Sequence, residues 1–124
     1  MADKCVVLVV DDSRTSRAII RKVLGQLRPD WEIAESPSGD DALARLDEIK
    51  PTYVTMDMNM PGIDGVEASR QIHLRRPDIP IALCTANIQD SVKAAAAAIG
   101  IHFVGKPITE AGLAQAVGFF ESQS

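Results

Sequence analysis

The sequence contains only two cysteines, Cys5 and Cys84. Each lies inside an apolar run, where a cysteine is more often a small core residue than half of a disulfide. We therefore expect a fold that does not depend on disulfides, and a cytoplasmic location.

Long hydrophobic runs are also missing. The apolar stretch at residues 5–10 is too short for a signal peptide or a transmembrane helix, and two carboxylates follow it at once. The chain shows no low-complexity linker and no internal repeat. We therefore expect no membrane insertion, and we expect residues 1–124 to form one domain.

Positive charge is scarce, since the formal net charge is −4. A nucleic-acid-binding module normally presents a basic face, so this balance argues against one. It fits a protein that contacts other proteins or binds a cation. Hydrophobic residues make up 46% of the chain and charged residues 24%, which is the balance of a globular protein.

Short apolar runs alternate with longer segments of helical periodicity. The runs predict strands at residues 6–10, 31–33, 53–57, 79–85 and 102–107. The segments that follow them predict five helices, of which the second should run from Ala42 to Ile49 and stop at Pro51. The fourth helix should bury Val92, Ala95, Ala96 and Ile99. Strict alternation indicates a parallel sheet with helices on both faces.

Polar side chains end four of these five predicted strands. They are Asp11 and Asp12 after the first strand, Asp57 at the third, Thr85 at the fourth and Lys106 at the fifth. Ligands of an open parallel sheet bind beyond the carboxyl ends of its strands. We therefore expect these side chains to meet in one crevice, although they are distant in sequence.

Three neighbouring carboxylates repel one another, and a hard dication relieves that repulsion. Mg²⁺ is commonly held by a few carboxylates and phosphate oxygens, and a carboxylate can itself attack phosphorus to form an aspartyl phosphate. In such chemistry Lys106 would supply positive charge, Thr85 a hydroxyl donor and Ala86 an unobstructed backbone N–H. The residues thus predict a magnesium-dependent phosphoryl-transfer site.

Four stretches resemble the receiver domain of two-component response regulators. They are VVDDS at 9–13, TMDMNMPGIDG at 55–65, CTA at 84–86 and the stretch from Phe103 to Pro107. The resemblance covers essentially the whole chain and is strongest to single-domain, chemotaxis-type regulators. It implies that residues 1–124 are one receiver domain without an effector domain. It also implies a flavodoxin-like, doubly wound (βα)5 fold, whose five-stranded parallel sheet has the order 2-1-3-4-5.

The resemblance implies a role for each polar residue at the strand ends. Asp57 is the expected phosphoacceptor. The expected direct ligands of Mg²⁺ are Asp12, Asp57 and the backbone carbonyl of Asn59, while Asp11 is expected to act through a metal-bound water. Lys106 is expected to pair with a phosphoryl oxygen.

Thr85 and Phe103 match the family's switch pair. The hydroxyl is expected to move to the phosphoryl group while the aromatic ring swings inward, although Phe103 could also be a plain core residue. Phe103 lacks the hydroxyl of the tyrosine that chemotaxis members often have here. Asn59 and Asn87 match the positions that tune the lifetime of the phosphoryl group. Because both are neutral amides, we expect self-hydrolysis between the family's extremes.

These implications describe a signalling switch, not an enzyme, apart from its own autodephosphorylation. The expected phosphodonor is a histidine kinase. The expected output is contact with a protein target through the face formed by the fourth helix, fifth strand and fifth helix. That target could be a motor switch, a kinase or a phosphorelay protein, and a phosphate sink or phosphorelay intermediate is the alternative to an activator.

Two functions of other classes fit the residues less well. A phosphohydrolase of the haloacid dehalogenase type needs a second acid two residues after its nucleophile, where this chain has Asn59. A flavodoxin-like or dinucleotide-binding carrier needs a glycine- or hydroxyl-rich phosphate cradle in its first loop. That loop is DDSRTS here, and its two carboxylates would repel a phosphate unless a metal were bound.

Overall fold

The computed structural model describes residues 4–86 and 90–123, and its strands form one parallel sheet. The strands are β1 (Val6–Val10), β2 (Glu32–Ser36), β3 (Tyr53–Asp57), β4 (Ile81–Thr85) and β5 (His102–Gly105). The helices are α1 (Arg14–Leu27), α2 (Gly39–Ala44), α3 (Leu46–Ile49), α4 (Gly65–Arg75), α5 (Asp90–Ala97) and α6 (Glu110–Ser122). The strand order β2-β1-β3-β4-β5 confirms the fold that the sequence predicts.

The three central strands are buried on both faces. Every residue of β3 and β4 is buried, as are the last four residues of β1. A strand covered on both faces is an unbroken apolar run rather than an alternating one, which explains the composition of these segments. The less buried β2 lies at one edge of the sheet, as its alternating sequence predicts.

The sheet separates two hydrophobic cores. On one face α1 and α6 contribute Ile20, Leu24, Leu113 and Phe120. On the other face α2, α3 and α4 contribute Ala42, Leu46, Ala68 and Ile72. The ring of Phe120 stacks on that of Tyr53 in β3, with centroids 4.7 Å apart. The helices therefore hold the sheet rigidly, and the strand ends project from a fixed frame.

The first helix begins at Arg14, directly after a capping serine. The side chain of Ser13 accepts a hydrogen bond from the backbone N–H of Ser16 and so caps α1. This start leaves only three residues, 11–13, between β1 and the helix. Asp11 and Asp12, which we call the acid pair, consequently lie in a short turn that the helix cap closes.

The predicted second helix is two shorter helices, α2 and α3, which are separated at Arg45. The backbone of Arg45 has φ −102° and ψ 4°, outside the α-helical range. Its guanidinium donates to the Asp41 carboxylate at 2.9 Å and to the carbonyl of Glu35 in β2 at 3.1 Å. Apolar periodicity could not reveal this break, because the contact with β2 is tertiary.

The other differences from the prediction are smaller. β2 runs from Glu32 to Ser36 rather than over 31–33, and β5 ends at Gly105 rather than at residue 107. β4 begins at Ile81, two residues later than predicted, since Pro80 has no N–H to give to a neighbouring strand. In the segment predicted as the fourth helix, Ala96 is buried as predicted, but Ala95 is exposed and Ile99 is only half-buried. The predicted burial of Val92 lies outside the side chains that the structure describes. Within residues 4–86 and 90–123, no helix is both long and apolar enough to cross a membrane.

Candidate functional site

The acid pair follows directly from the buried strand β1. Asp11 is only 1% exposed, whereas Asp12 is exposed. The backbone N–H of Asp11 donates to the carbonyl of Ser36 in β2 at 3.1 Å. Its carboxylate accepts a hydrogen bond from the backbone N–H of Ser13 at 2.8 Å. These bonds hold the Asp11 carboxylate at the end of the sheet, and they offset part of the cost of burying a carboxylate there.

Asp57 completes an acid triad, which we define as Asp11, Asp12 and Asp57. It is the last residue of β3 and is 4% exposed. Because β3 pairs directly with β1, the two strand ends are adjacent. One carboxylate oxygen from each of the three residues lies within 4.8 Å of the others. The predicted meeting of these side chains is therefore observed.

Lys106 pairs with two members of the triad. Its Nζ lies 2.7 Å from Asp57 Oδ1 and 3.5 Å from Asp11 Oδ2. The lysine follows β5, and its backbone N–H donates to the carbonyl of Thr85 at 3.0 Å. The Lys106 ammonium thus offsets part of the repulsion between the carboxylates, so a bound metal is not needed to offset all of it.

Burial and charge act in opposite directions on these groups. Burial raises the pKa of Asp57, and its acidic neighbours add to that rise, whereas the hydrogen bond from Lys106 lowers it; the net shift is upward. Burial lowers the pKa of Lys106, but the hydrogen bond to Asp57 and the nearby carboxylates outweigh burial, and that pKa is raised. The lysine therefore remains charged at neutral pH, while ionised Asp57 carries a desolvation cost.

The triad offers oxygen ligands that suit a hard cation. Asp11 Oδ2 is buried and, among the described residues, has no hydrogen-bond partner. A buried carboxylate oxygen without a hydrogen bond is unfavourable, and a cation or a water bound to a cation would satisfy it. Carboxylates and a backbone carbonyl are the ligands that Mg²⁺ prefers. The residues present therefore fit a magnesium ion.

The remaining residues predicted for the site lie near it to different degrees. Asn59 lies two residues after the end of β3 and is exposed. Ala86 directly follows β4 and is also exposed. Asn87 lies outside the described residues, so its predicted role has no structural test. The metal contact predicted for the Asn59 carbonyl likewise stays a prediction.

The predicted switch pair occupies one face of neighbouring strands. Thr85 is buried at the end of β4, and Phe103 is half-buried in β5 against the core formed with α4. In the register, Phe103 pairs with Leu83 and Gly105 pairs with Thr85. Since side chains two residues apart share a face, Phe103 and Thr85 lie on the same side of the sheet, one pleat apart. This proximity is what a coupled movement requires.

Two residues that the sequence analysis did not single out contact the site. Arg17 of α1 donates from Nη1 to the backbone carbonyl of Asp11 at 2.6 Å. At Gly65, the first residue of α4, a Cβ atom would collide with the carbonyl of Asp57 and would lie 2.8 Å from Met58 Cα. The glycine pattern of MPGIDG could have indicated such an approach, whereas no local pattern indicates the Arg17 contact.

A groove away from these residues lies at the other edge of the sheet. It has a volume of about 670 Å³ and is lined at the amino-terminal edge of the sheet by residues that include Cys5, Thr52 and Pro80. None of the acid triad lines it. The acid triad thus lies apart from this groove, at the opposite edge of the sheet.

Comparison with known proteins agrees with this geometry. The family model of the response regulator receiver domain matches residues 7–118. The chain is 35% identical to the chemotaxis protein CheY of Listeria monocytogenes over 102 residues, which are 81% of this chain and 84% of that protein. It is 37% identical to the response regulator GacA of Pseudomonas aeruginosa over 84 residues, which are 68% of this chain and 39% of that protein.

Solved structures show the same fold. The chemotaxis protein CheY4 of Vibrio cholerae superposes with a TM-score of 0.85 at 23% identity, covering 95% of this chain and 99% of that one. A CheY-like receiver domain protein of Methanospirillum hungatei superposes with a TM-score of 0.88 at 17% identity, covering 98% and 97%. At these identities the likeness establishes the fold, and the match to the family model establishes the relationship. The chain therefore belongs to the response regulator receiver family and is a receiver domain of the chemotaxis type, a phosphorylation-dependent switch of two-component signalling.

Proposed function

We propose that Asp57 accepts a phosphoryl group from the phosphohistidine of a histidine kinase. The observation that carries the proposal is the placement of the Asp57 carboxylate, 2.7 Å from Lys106 Nζ and within 4.8 Å of two further acids. An Asp57 oxygen forms the new bond to phosphorus as the bond from phosphorus to the histidine nitrogen breaks. The products are an aspartyl phosphate and a free histidine.

The ligand set that we propose for Mg²⁺ consists of Asp12, Asp57 and the backbone carbonyl of Asn59, with Asp11 acting through a water. The buried Asp11 Oδ2 supports this assignment, because among the described residues it has no hydrogen bond and only the ion pair with Lys106 Nζ at 3.5 Å. When bound, the ion neutralises charge on the phosphoryl oxygens. Asp57 would use one carboxylate oxygen for the attack on phosphorus.

Lys106 would transfer its hydrogen bond from Asp57 to a phosphoryl oxygen. Its raised pKa supports a charged ammonium at neutral pH, when the phosphoryl group arrives. The Thr85 hydroxyl and the Ala86 backbone N–H would donate to the remaining oxygens. Catalysis at this site is then mainly positioning and charge neutralisation, as is usual for phosphoryl transfer.

The signal would leave through the face formed by α5, β5 and α6. Phosphorylation would draw Thr85 inward and let the Phe103 ring follow, which shifts an existing equilibrium between two states. A protein target, such as a motor switch, a kinase or a phosphorelay protein, would bind the shifted state. The two free cysteines suit the reducing cytoplasm as the place of action.

The test is the intact mass of the protein after incubation with acetyl phosphate and Mg²⁺. We expect a gain of one phosphoryl group for the wild type, and none for Asp57→Asn or for the wild type without Mg²⁺. Asp30→Asn is a matched control, because Asp30 is exposed and lies beyond the far end of α1.

Some receivers accept phosphate only from a protein, so phosphorylated histidine kinases are the second donor in this experiment. A gain in mass in the Asp57→Asn variant would contradict the assignment of the phosphoacceptor. No gain in the wild type with either donor would contradict phosphoryl transfer altogether, and would leave a receiver that signals by binding alone.

A further inference from the structure

Arg17 links the acid pair to the edge of the sheet. Its Nη1 donates to the backbone carbonyl of Asp11 at 2.6 Å, and its Nε donates to Oε1 of Glu35 in β2 at 3.0 Å. The Arg17 side chain is only 15% exposed, so these two bonds are partly shielded from water. A shielded guanidinium that bonds two acceptors through different nitrogens is held in one geometry.

The contact with the Asp11 carbonyl controls the position of Asp12. β1 ends at Val10, so Arg17 fills the place that a neighbouring strand would otherwise take at the Asp11 carbonyl. The peptide unit is planar, and fixing this carbonyl therefore fixes the N–H of Asp12 and the direction in which its chain continues. Asp12 is exposed, and the backbone N–H of the next residue, Ser13, bonds to the Asp11 carboxylate rather than to Asp12.

Glu35 is itself restrained by a second arginine. Arg21, one turn further along α1, donates to Glu35 Oε2 at 2.9 Å. Arg21 thus shares the carboxylate with Arg17 but has no contact with the Asp11 carbonyl. The two arginines carry the same charge and share Glu35, but only Arg17 contacts the acid pair. Arg21 is more exposed, at 53% against 15%, and donates instead to the carbonyl of Ile33 at 3.4 Å.

We propose that Arg17 is a positioning residue, which holds the Asp11–Asp12 peptide so that the acid triad is preorganised for Mg²⁺. The proposal rests on the magnesium site of the proposed function and adds to it a residue outside the set of ligands. Groups that orient metal ligands commonly contribute about 10-fold to 100-fold in metal affinity. Arg17 would orient the ligands by bonding to the backbone carbonyl of Asp11, not by bonding to a ligand side chain.

Charge and position predict opposite effects when Arg17 is removed. Loss of a cation near three carboxylates would by itself strengthen the binding of a dication. Loss of the bond to the Asp11 carbonyl would weaken it, because the peptide must then be ordered during binding. The sign of the change in Mg²⁺ affinity therefore separates the two effects.

The experiment is a titration with MgCl2, followed by the NMR shifts of the backbone amides of residues 11–13. For Arg17→Ala we expect weaker binding, with a dissociation constant about 10-fold larger than that of the wild type. For Arg21→Ala, the matched control, we expect a change of less than about 2-fold, since the variant loses a charge and a Glu35 contact but keeps the Asp11 bond. Arg17→Lys keeps the charge but presents one ammonium in place of two separate donors, and we expect a loss intermediate between the two.

Urea unfolding of each variant without metal gives a second readout. A purely structural role for Arg17 would lower the unfolding midpoint and leave the Mg²⁺ affinity unchanged, and that result would overturn the proposal. Tighter binding in Arg17→Ala, or equal losses in Arg17→Ala and Arg21→Ala, would overturn it as well. If Arg17→Ala does not fold, wild-type affinity in Arg17→Lys would be decisive against it. Failure of the wild type to bind Mg²⁺ would instead refute the magnesium site on which the proposal rests.

Discussion

At the scale of single residues, Asp57 combines two conflicting requirements. The role proposed for it, that of phosphoacceptor, requires an ionised carboxylate, yet the residue is 4% exposed, and burial raises the pKa of its carboxyl group above the ordinary value. Lys106 reduces this cost through its hydrogen bond but does not remove it. The ionised Asp57 carboxylate therefore lowers the stability of the folded protein, as reactive groups often do.

This conflict predicts that Asp57→Asn is more stable than the wild type at pH 7 in the absence of metal. A carboxyl group whose pKa is raised by folding costs stability above its folded pKa, and costs nothing below its unfolded pKa of about 3.9. Asparagine is uncharged at every pH. We expect a higher urea midpoint for the variant at pH 7, with an advantage that shrinks as the pH falls toward about 4.

The control for this pH series is Asp30→Asn, in which the substituted carboxylate is exposed. We expect the wild type and this variant to share one urea midpoint within error. The explanation by burial is wrong if Asp57→Asn is less stable than the wild type at pH 7, because the pairing with Lys106 would then exceed the desolvation cost.

At the scale of elements, the close approach of α4 to the end of β3 determines where Asp57 lies. The N–H of Gly65 donates to the carbonyl of Met58 at 2.9 Å, and a Cβ at Gly65 would collide with the Asp57 carbonyl. A backbone atom cannot yield as a flexible side chain can. Only glycine therefore allows the helix to start this close to Asp57.

We expect Gly65→Ala to destabilise the protein by about 1–3 kcal/mol, which is the usual cost of overpacking. It should also slow phosphorylation by acetyl phosphate, because relief of the clash displaces the end of β3. Urea unfolding and the time course of the mass gain measure the two effects.

Gly118→Ala is the matched control for this substitution. Gly118 lies within α6, and a Cβ there would meet nothing within 4 Å. Alanine is a better helix former than glycine by about 1 kcal/mol, so this variant should be slightly more stable than the wild type and equally reactive. Equal effects at the two positions would contradict the role assigned to close approach.

At the scale of the whole molecule, stability and chemistry lie in different regions. The two cores occupy the faces of the sheet, whereas the acid triad lies at the carboxyl ends of the strands. Phe120 is fully buried between α6 and the sheet, and its ring stacks on Tyr53. Substitutions there should change the free energy of unfolding without changing the site.

We expect Phe120→Ala to lower the free energy of unfolding by about 3–5 kcal/mol, as other buried Phe→Ala changes do. Where the variant remains folded, phosphorylation should still go to completion. The fluorescence of Trp31 can report unfolding, since its ring centroid lies 5.3 Å from that of Tyr53. Leu74→Ala is the control, because Leu74 is 67% exposed and should change stability by less than about 0.5 kcal/mol.

The sequence by itself determined the order of the elements and the members of the acid triad. Buried strands are apolar runs, and their ends are visible because Asp11 and Asp57 interrupt those runs abruptly. Parallel pairing then requires strand ends to share one edge of the sheet. Both inferences depend only on local composition and on a general rule of topology, which is why they could be made without coordinates.

Only the tertiary structure decided how the site is held together. Three features show this, and each depends on a contact between separate elements of the fold. They are the helix break at Arg45, the close approach that requires glycine at position 65, and the bond from Arg17 to the Asp11 carbonyl. Apolar periodicity shows which face of an element is buried, but it carries no information on which polar atom of another element lies within 3 Å. Such contacts depend on the relative placement of elements, and that placement exists only after the cores have packed.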